Sequence, residues 1–80
     1  MSKQLLKFSR PSCVPCEMVS NFLSDKNIEY TEVNVYEDTE TANKYNIQSV
    51  PVLVLLNNGE IEEIVFGYKP DEIERLLHQL

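Results

Sequence analysis

The sequence predicts an α/β fold with the element order β-α-β-α-β-β-α around a four-stranded mixed sheet, and three stretches carry the prediction. Between Lys3 and Tyr36 a strand, an amphipathic helix and a second strand follow one another, a crossover unit that forces its two strands parallel. The apolar run Val52-Leu53-Val54-Leu55-Leu56 meets Asn57-Asn58-Gly59 and returns through Ile61–Phe66 as an antiparallel hairpin. Pro70 then opens a closing helix whose Ile73, Leu76, Leu77 and Leu80 form one apolar stripe. Eighty residues hold one modest core and no second, so residues 1–80 are expected to be a single domain.

Each element has its local cause. Lys3–Ser9 reads as the first strand because Leu5, Leu6 and Phe8 lie in a short run without a breaker, ended by Arg10-Pro11-Ser12. From Cys13 to Lys26 the residues Val14, Met18, Val19, Phe22 and Leu23 recur at helical spacing, and Met18 and Phe22 read as core. Ile28–Tyr36 alternates, with Thr31, Val33 and Val35 on one face, and is expected to be a half-buried edge strand. Thr39–Tyr45 is a short helix entered through Asp38 or Thr39, with Ala42 and Tyr45 turned inward. The run after Pro51 reads as a central strand covered on both faces. Asn58 and Gly59 tolerate the positive φ of a type I′ turn. In the returning strand Glu63 interrupts the alternation between Ile61 and Ile64, which predicts a bulge or an exposed edge.

The only two cysteines stand in Cys13-Val14-Pro15-Cys16, at the junction of the first strand and first helix. Two sulfurs at this spacing can be bridged when the chain between them is a tight turn, as in the opening turn of a helix. Ser12 can act as N-cap, and Pro15 fits a turn where a missing N–H costs little. Unpaired N–H groups and the positive end of the helix dipole favour a thiolate at Cys13. Cys16, one turn in, is expected to be the less exposed sulfur. Cys13 then attacks a partner's disulfide and Cys16 resolves the mixed disulfide. A structural staple is a weaker reading, since closing so short a loop stabilises by only about 2 kcal/mol. A zinc site would need more ligands than one Cys pair and the lone His78. Pro11, Ser12 and Pro15 argue against two buried thiols.

Charge and composition narrow the function. A net charge of −6 with seven scattered basic residues gives no cluster to follow a phosphate backbone, so no nucleic acid is expected. The acids concentrated in Glu29–Glu40 and Glu60–Glu63 read as solvated faces. No run is long enough to span a bilayer and no leader is visible at Met1-Ser2-Lys3-Gln4, so no membrane partner and a cytoplasmic location are expected. In that reducing compartment a Cys-x-x-Cys pair is more often catalytic or metal-binding than permanent.

With the element order in place, the chain resembles the thioredoxin-fold dithiol oxidoreductases, and within them the glutaredoxin-like redoxins. The resemblance rests on Cys13-Val14-Pro15-Cys16, on Ser49-Val50-Pro51 entering the third strand, and on Gly67 ending the fourth. It implies sheet order 2-1-3-4, with helices one and three on one face and helix two on the other. It also implies a cis bond between Val50 and Pro51, with the Val50 backbone pairing an extended substrate segment beside Cys13. Two departures point away from thioredoxin proper: Ser12 stands where thioredoxins carry tryptophan, and their buried acidic residue of the first strand falls near Lys7. The glycine pair and acid by which many glutaredoxins hold glutathione are replaced by Phe66-Gly67-Tyr68-Lys69-Pro70-Asp71. That stretch is similar to the Gly-aromatic-basic-Pro-Asp signature of redoxins that supply ribonucleotide reductase and are recharged by thioredoxin reductase.

The function expected is therefore reduction of protein disulfides by a monomer through a reversible Cys13–Cys16 disulfide, with electrons from NADPH through a reductase and no bound cofactor or metal. Arg10, Val14, Pro15, Val50, Pro51, Gly67 and Tyr68 are expected to form the docking rim, with Arg10 favouring the thiolate. Glutathione as the reductant is the nearest alternative. A dimeric metal or iron-sulfur carrier and a redox-sensing binding module are alternatives of other classes.

Overall fold

In a computed structural model, which describes residues 2–80, the elements are β1 (Lys3–Ser9), α1 (Val14–Asp25), β2 (Thr31–Asn34), α2 (Thr39–Lys44), β3 (Val52–Asn57), β4 (Glu60–Phe66) and α3 (Pro70–Leu77). The four strands form one sheet in the order β2-β1-β3-β4. β1 runs parallel to β2 with Lys7 opposite Glu32, and antiparallel to β3 with Lys7 opposite Leu53. This is the thioredoxin-like α/β fold expected from the sequence.

The sheet divides the apolar interior into two clusters, one on each face, where a single core was expected from the chain length. Leu5, Leu53, Leu55 and Val65 pack against Val19 and Leu23 of α1 and Ile73 and Leu76 of α3. On the other face Leu6, Phe8, Val33, Val52, Val54 and Leu56 meet Tyr45 and Ile47 at the end of α2. All five residues Val52–Leu56 are buried because β3 lies inside the sheet with helices over both faces. The hairpin turn has Asn58 at φ 55° and Gly59 at φ 86°, as a type I′ turn requires. The bulge in β4 is also present. Leu55 pairs with Glu63 and Leu56 with Ile61, which leaves Glu62 as the extra residue.

Three expectations about the elements need correction. β2 is shorter than Ile28–Tyr36, because the N–H groups of Lys26, Asn27 and Ile28 are spent on the carbonyls of Leu23 and Ser24 at the end of α1. At its other end the N–H of Tyr36 goes to the Asn34 side chain and those of Glu37 and Asp38 to the Asn34 carbonyl, which makes a turn. Met18 is not core: it is 43% exposed and Val14 67%. At about 100° per residue both lie opposite the face that carries Cys16 and Leu23. Leu80 leaves the α3 stripe because the final N–H groups bond three residues back, a tighter winding that rotates it to 51% exposure.

Candidate active site: a dithiol at the opening of the first helix

Cys13 and Cys16 are joined in a disulfide, with their Cα atoms 5.2 Å apart, at the point where β1 hands over to α1. The cap differs from the one expected. Ser12 lies in the left-handed region at φ 56°, so the chain bends there, and Cys13 itself is the N-cap. The Cys13 carbonyl accepts from the Glu17 N–H at 3.1 Å, and its Sγ accepts from the Cys16 N–H at 3.2 Å. The sulfur thus occupies the place where a capping oxygen usually satisfies the free N–H groups of a helix. With the disulfide opened, an N–H aimed at Sγ and the positive end of the helix dipole stabilise a thiolate over a thiol.

Both sulfur-bearing residues are buried, at 3% exposure each, which overturns the expectation of an open Cys13 over a covered Cys16. In the oxidised form each sulfur shields the other. Their neighbours in sequence, Ser12, Val14 and Pro15, are all exposed.

The remaining rim residues divide. Arg10 folds back so that Nη1 donates to the carbonyls of Pro11 at 3.0 Å and Ser12 at 3.1 Å, which braces the loop in front of Cys13. Arg10 and Val50 both line a groove of about 360 Å³, together with Tyr36, Ile47 and Gln48. The Val50–Pro51 bond is cis, and the carbonyl of buried Pro51 accepts from the Gly67 N–H at 2.8 Å. That bond ties the strand-entry loop to the exit of β4, where Gly67 at φ 79° makes a turn that side-chain-bearing residues resist. Tyr68 sits half-buried, its ring edge-on to Phe22 at 6.4 Å between centroids. Phe66, 55% exposed, was not singled out in the sequence, although a bulky aromatic just before the glycine that ends a strand is the available signal. Among the described residues no three His, Cys, Asp or Glu side chains gather closely enough to hold a metal ion.

Sequence reasoning also missed a polar cluster under α1. Lys7, 2% exposed, donates from Nζ to Ser20 Oγ and to Glu32 Oε2, the latter at 2.9 Å, and the Ser9 hydroxyl donates to the same Glu32 oxygen. Partial burial pushes the Glu32 carboxyl up, but the hydrogen bonds from Ser9 and Lys7 and the Lys7 charge outweigh it and hold the group below its ordinary 4.5. A depressed folded-state value contributes stability that is present above 4.5 and is lost as pH falls through the folded value. The urea midpoint of the wild type is therefore expected to exceed that of Glu32→Gln at neutral pH, with the gap closing below pH 4.5. A gap that stays constant down to acid pH would mean that the Glu32 charge contributes nothing.

Comparison with known proteins gives a consistent picture. The thioredoxin family profile matches residues 1–79. The chain is 40% identical over 78 residues to the SPbeta prophage-derived thioredoxin-like protein YosR of Bacillus subtilis, which covers 96% of this chain and 98% of that one. It is 35% identical over 74 residues to thioredoxin of Bacillus subtilis, covering 85% of this chain and 71% of the relative. Among solved structures, thioredoxin NaTrxh from Nicotiana alata superposes with a TM-score of 0.83 at 29% identity, over 96% of this chain and 71% of the other. Reduced thioredoxin from Schistosoma mansoni gives 0.86 at 25% identity, over 96% and 77%.

Proposed function

The chain belongs to the thioredoxin family of thiol-disulfide oxidoreductases, and from that premise we propose that it is an electron donor to ribonucleotide reductase, recharged from NADPH by thioredoxin reductase. The observation that carries the chemistry is the Cys13 sulfur standing as cap of α1 with the Cys16 N–H directed at it. In the reduced state the Cys13 thiolate attacks one sulfur of the target disulfide, forming a mixed disulfide and expelling the other target sulfur as a thiolate. Cys16 then attacks the Cys13 sulfur, the Cys13–Cys16 bond forms, and the second target thiol leaves. Two electrons pass to the target, and the reductase returns two.

Docking is assigned to Arg10, Val14, Pro15, Val50, Pro51, Gly67 and Tyr68, with Met18 and Phe66 extending the apolar part. Exposed apolar side chains beside a reactive group suit a protein partner better than a small charged one. The Val50 backbone offers a strand-like edge to an extended segment. The choice of thioredoxin reductase over glutathione rests on the Gly67-Tyr68-Lys69-Pro70-Asp71 stretch. We place the chain in the cytoplasm as a monomer in which residues 1–80 act as one redox domain.

The deciding assay offers the protein NADPH with thioredoxin reductase in one vessel and glutathione with glutathione reductase in another, each with a test protein disulfide. Turnover is expected in the first. Turnover confined to the second would replace the proposed reductant with glutathione. Failure in both would remove the electron-donor reading.

A further inference from the structure

Alternation along β1 sends Leu5, Lys7 and Ser9 toward α1, and Leu6 and Phe8 toward α2. A fully buried ammonium thus stands in the same layer as the dithiol helix. Burying a charge is costly even when it is paired, and an apolar side chain of the same length would fill the space. The physical question is what the charge acts on.

Ser20 gives the direction. Lys7 Nζ donates to Ser20 Oγ, and Ser20 follows Cys16 by four residues, so the two share one face of α1 about 6 Å apart along its axis. Counting one hydrogen bond and one such side-chain step, the ammonium lies on the order of 8 Å from the Cys16 sulfur. Glu32, 2.9 Å away, offsets it only in part, because its side chain is 48% exposed against 2% for Lys7, and water screens the carboxylate more than the ammonium. The other groups around this site are few. β1 adds Ser9, the segment entering β2 adds Tyr30, whose ring centroid is 5.7 Å from Nζ, and β3 sets apolar Leu53 opposite Lys7. α3 brings Ile73 and Leu76 to the same core, and half-buried Tyr68 packs against it.

We propose that the buried Lys7 ammonium, held between Ser20 and Glu32 beneath α1, favours the thiolate form of the reduced dithiol, most strongly at Cys16, and so speeds release of the target. In that step the Cys16 thiolate attacks the Cys13 sulfur of the mixed disulfide. The Cys13–Cys16 bond forms, the bond from Cys13 to the target breaks, and the target leaves as a thiolate that takes a proton from water. Lys7 is a positioning residue that acts through the sulfur. The inference rests on the dithiol reading above.

The test titrates the thiolates of the reduced protein by ultraviolet absorbance against pH, in wild type, Lys7→Met and Glu32→Gln, and times release from a preformed mixed disulfide. Lys7→Met is expected to lower the thiolate fraction at a given pH about tenfold and to slow release by a similar factor, the effect of a charge at this distance in a partly screened interior. Glu32→Gln is expected to move both readings the opposite way by a smaller factor. Simple loss of packing would shift both variants in one direction, and that result, or titrations that superimpose on wild type, would overturn the proposal. Should Lys7→Met fail to fold, Glu32→Gln decides alone: a higher thiolate fraction supports the proposal, and an equal or lower one overturns it. Wild-type turnover of a protein disulfide is measured separately, so a failure of the dithiol reading shows there and not in the titration.

Discussion

Serine at position 13 is expected to reduce disulfide turnover to the uncatalysed background, while serine at position 16 leaves a chain that attacks once and stays attached to its target. The asymmetry follows from the cap geometry. Only the Cys13 sulfur accepts the Cys16 N–H at 3.2 Å and takes the place of the helix cap, so it carries the stabilised thiolate. In Cys16→Ser that N–H remains, because it belongs to the backbone, and the first attack proceeds. What is missing is the second sulfur, and a hydroxyl cannot displace the target. Mass spectrometry of Cys16→Ser incubated with an oxidised protein substrate is expected to show one target bound per chain, releasable by a small thiol. Cys13→Ser is expected to show none. If Cys13→Ser retained turnover, or if it and not Cys16→Ser trapped the target, the assignment of the two roles would be reversed. Stability cannot account for either outcome, because the lost four-residue cross-link contributes only about 2 kcal/mol in the chain-entropy view.

The largest effect on folding is expected at Phe8. Its ring is completely buried near the C-terminal end of β1, edge-on to Tyr45 with centroids 5.9 Å apart, and it joins the sheet to the α2 side of the core. Phe8→Ala removes the ring and leaves a cavity bounded by Val33, Val52 and Val54, which are held in paired strands and cannot close in. A loss of about 3 to 5 kcal/mol is expected. That is a large share of the roughly 4 to 12 kcal/mol that a chain of this length commands. In urea, with a slope of about 1 kcal/mol per molar for so small a protein, the midpoint should drop by several molar or the fold should be lost in water. Met18→Ala serves as the contrast, since Met18 is 43% exposed and its truncation should cost about 0.5 kcal/mol or less. Equal losses at the two positions would contradict the description of which helix face meets the sheet.

The different legibility of these residues has a physical cause. Phe8 was readable as core because it stands with Leu5 and Leu6 in a short strand without a breaker, a pattern carried by neighbours in sequence. Met18 misled because a helix stripe is read with a tolerance of a residue or so, and that error turns a side chain from the sheet to solvent. The hairpin at Asn58-Gly59 and the bulge opposite Leu55 and Leu56 were legible because positive φ and broken alternation are local chemical facts. Lys7 and Glu32 were not. The resemblance put Lys7 near a position that the family buries, but nothing local pairs it with Glu32, and only the parallel register of β1 and β2 sets them opposite one another under α1.

By itself the sequence determined the order of the elements, the hairpin, where the later helices open and the placing of two cysteines at a strand-to-helix junction. All of these depend on interactions within a few residues, which the chain carries wherever it goes. Tertiary structure alone decided that the Cys13 sulfur replaces Ser12 as helix cap, that both cysteines are buried, and that an ammonium is buried beneath the helix. Those outcomes depend on how distant strands align and which face of a helix they meet, because solvent exclusion and charge pairing are properties of the assembled layers.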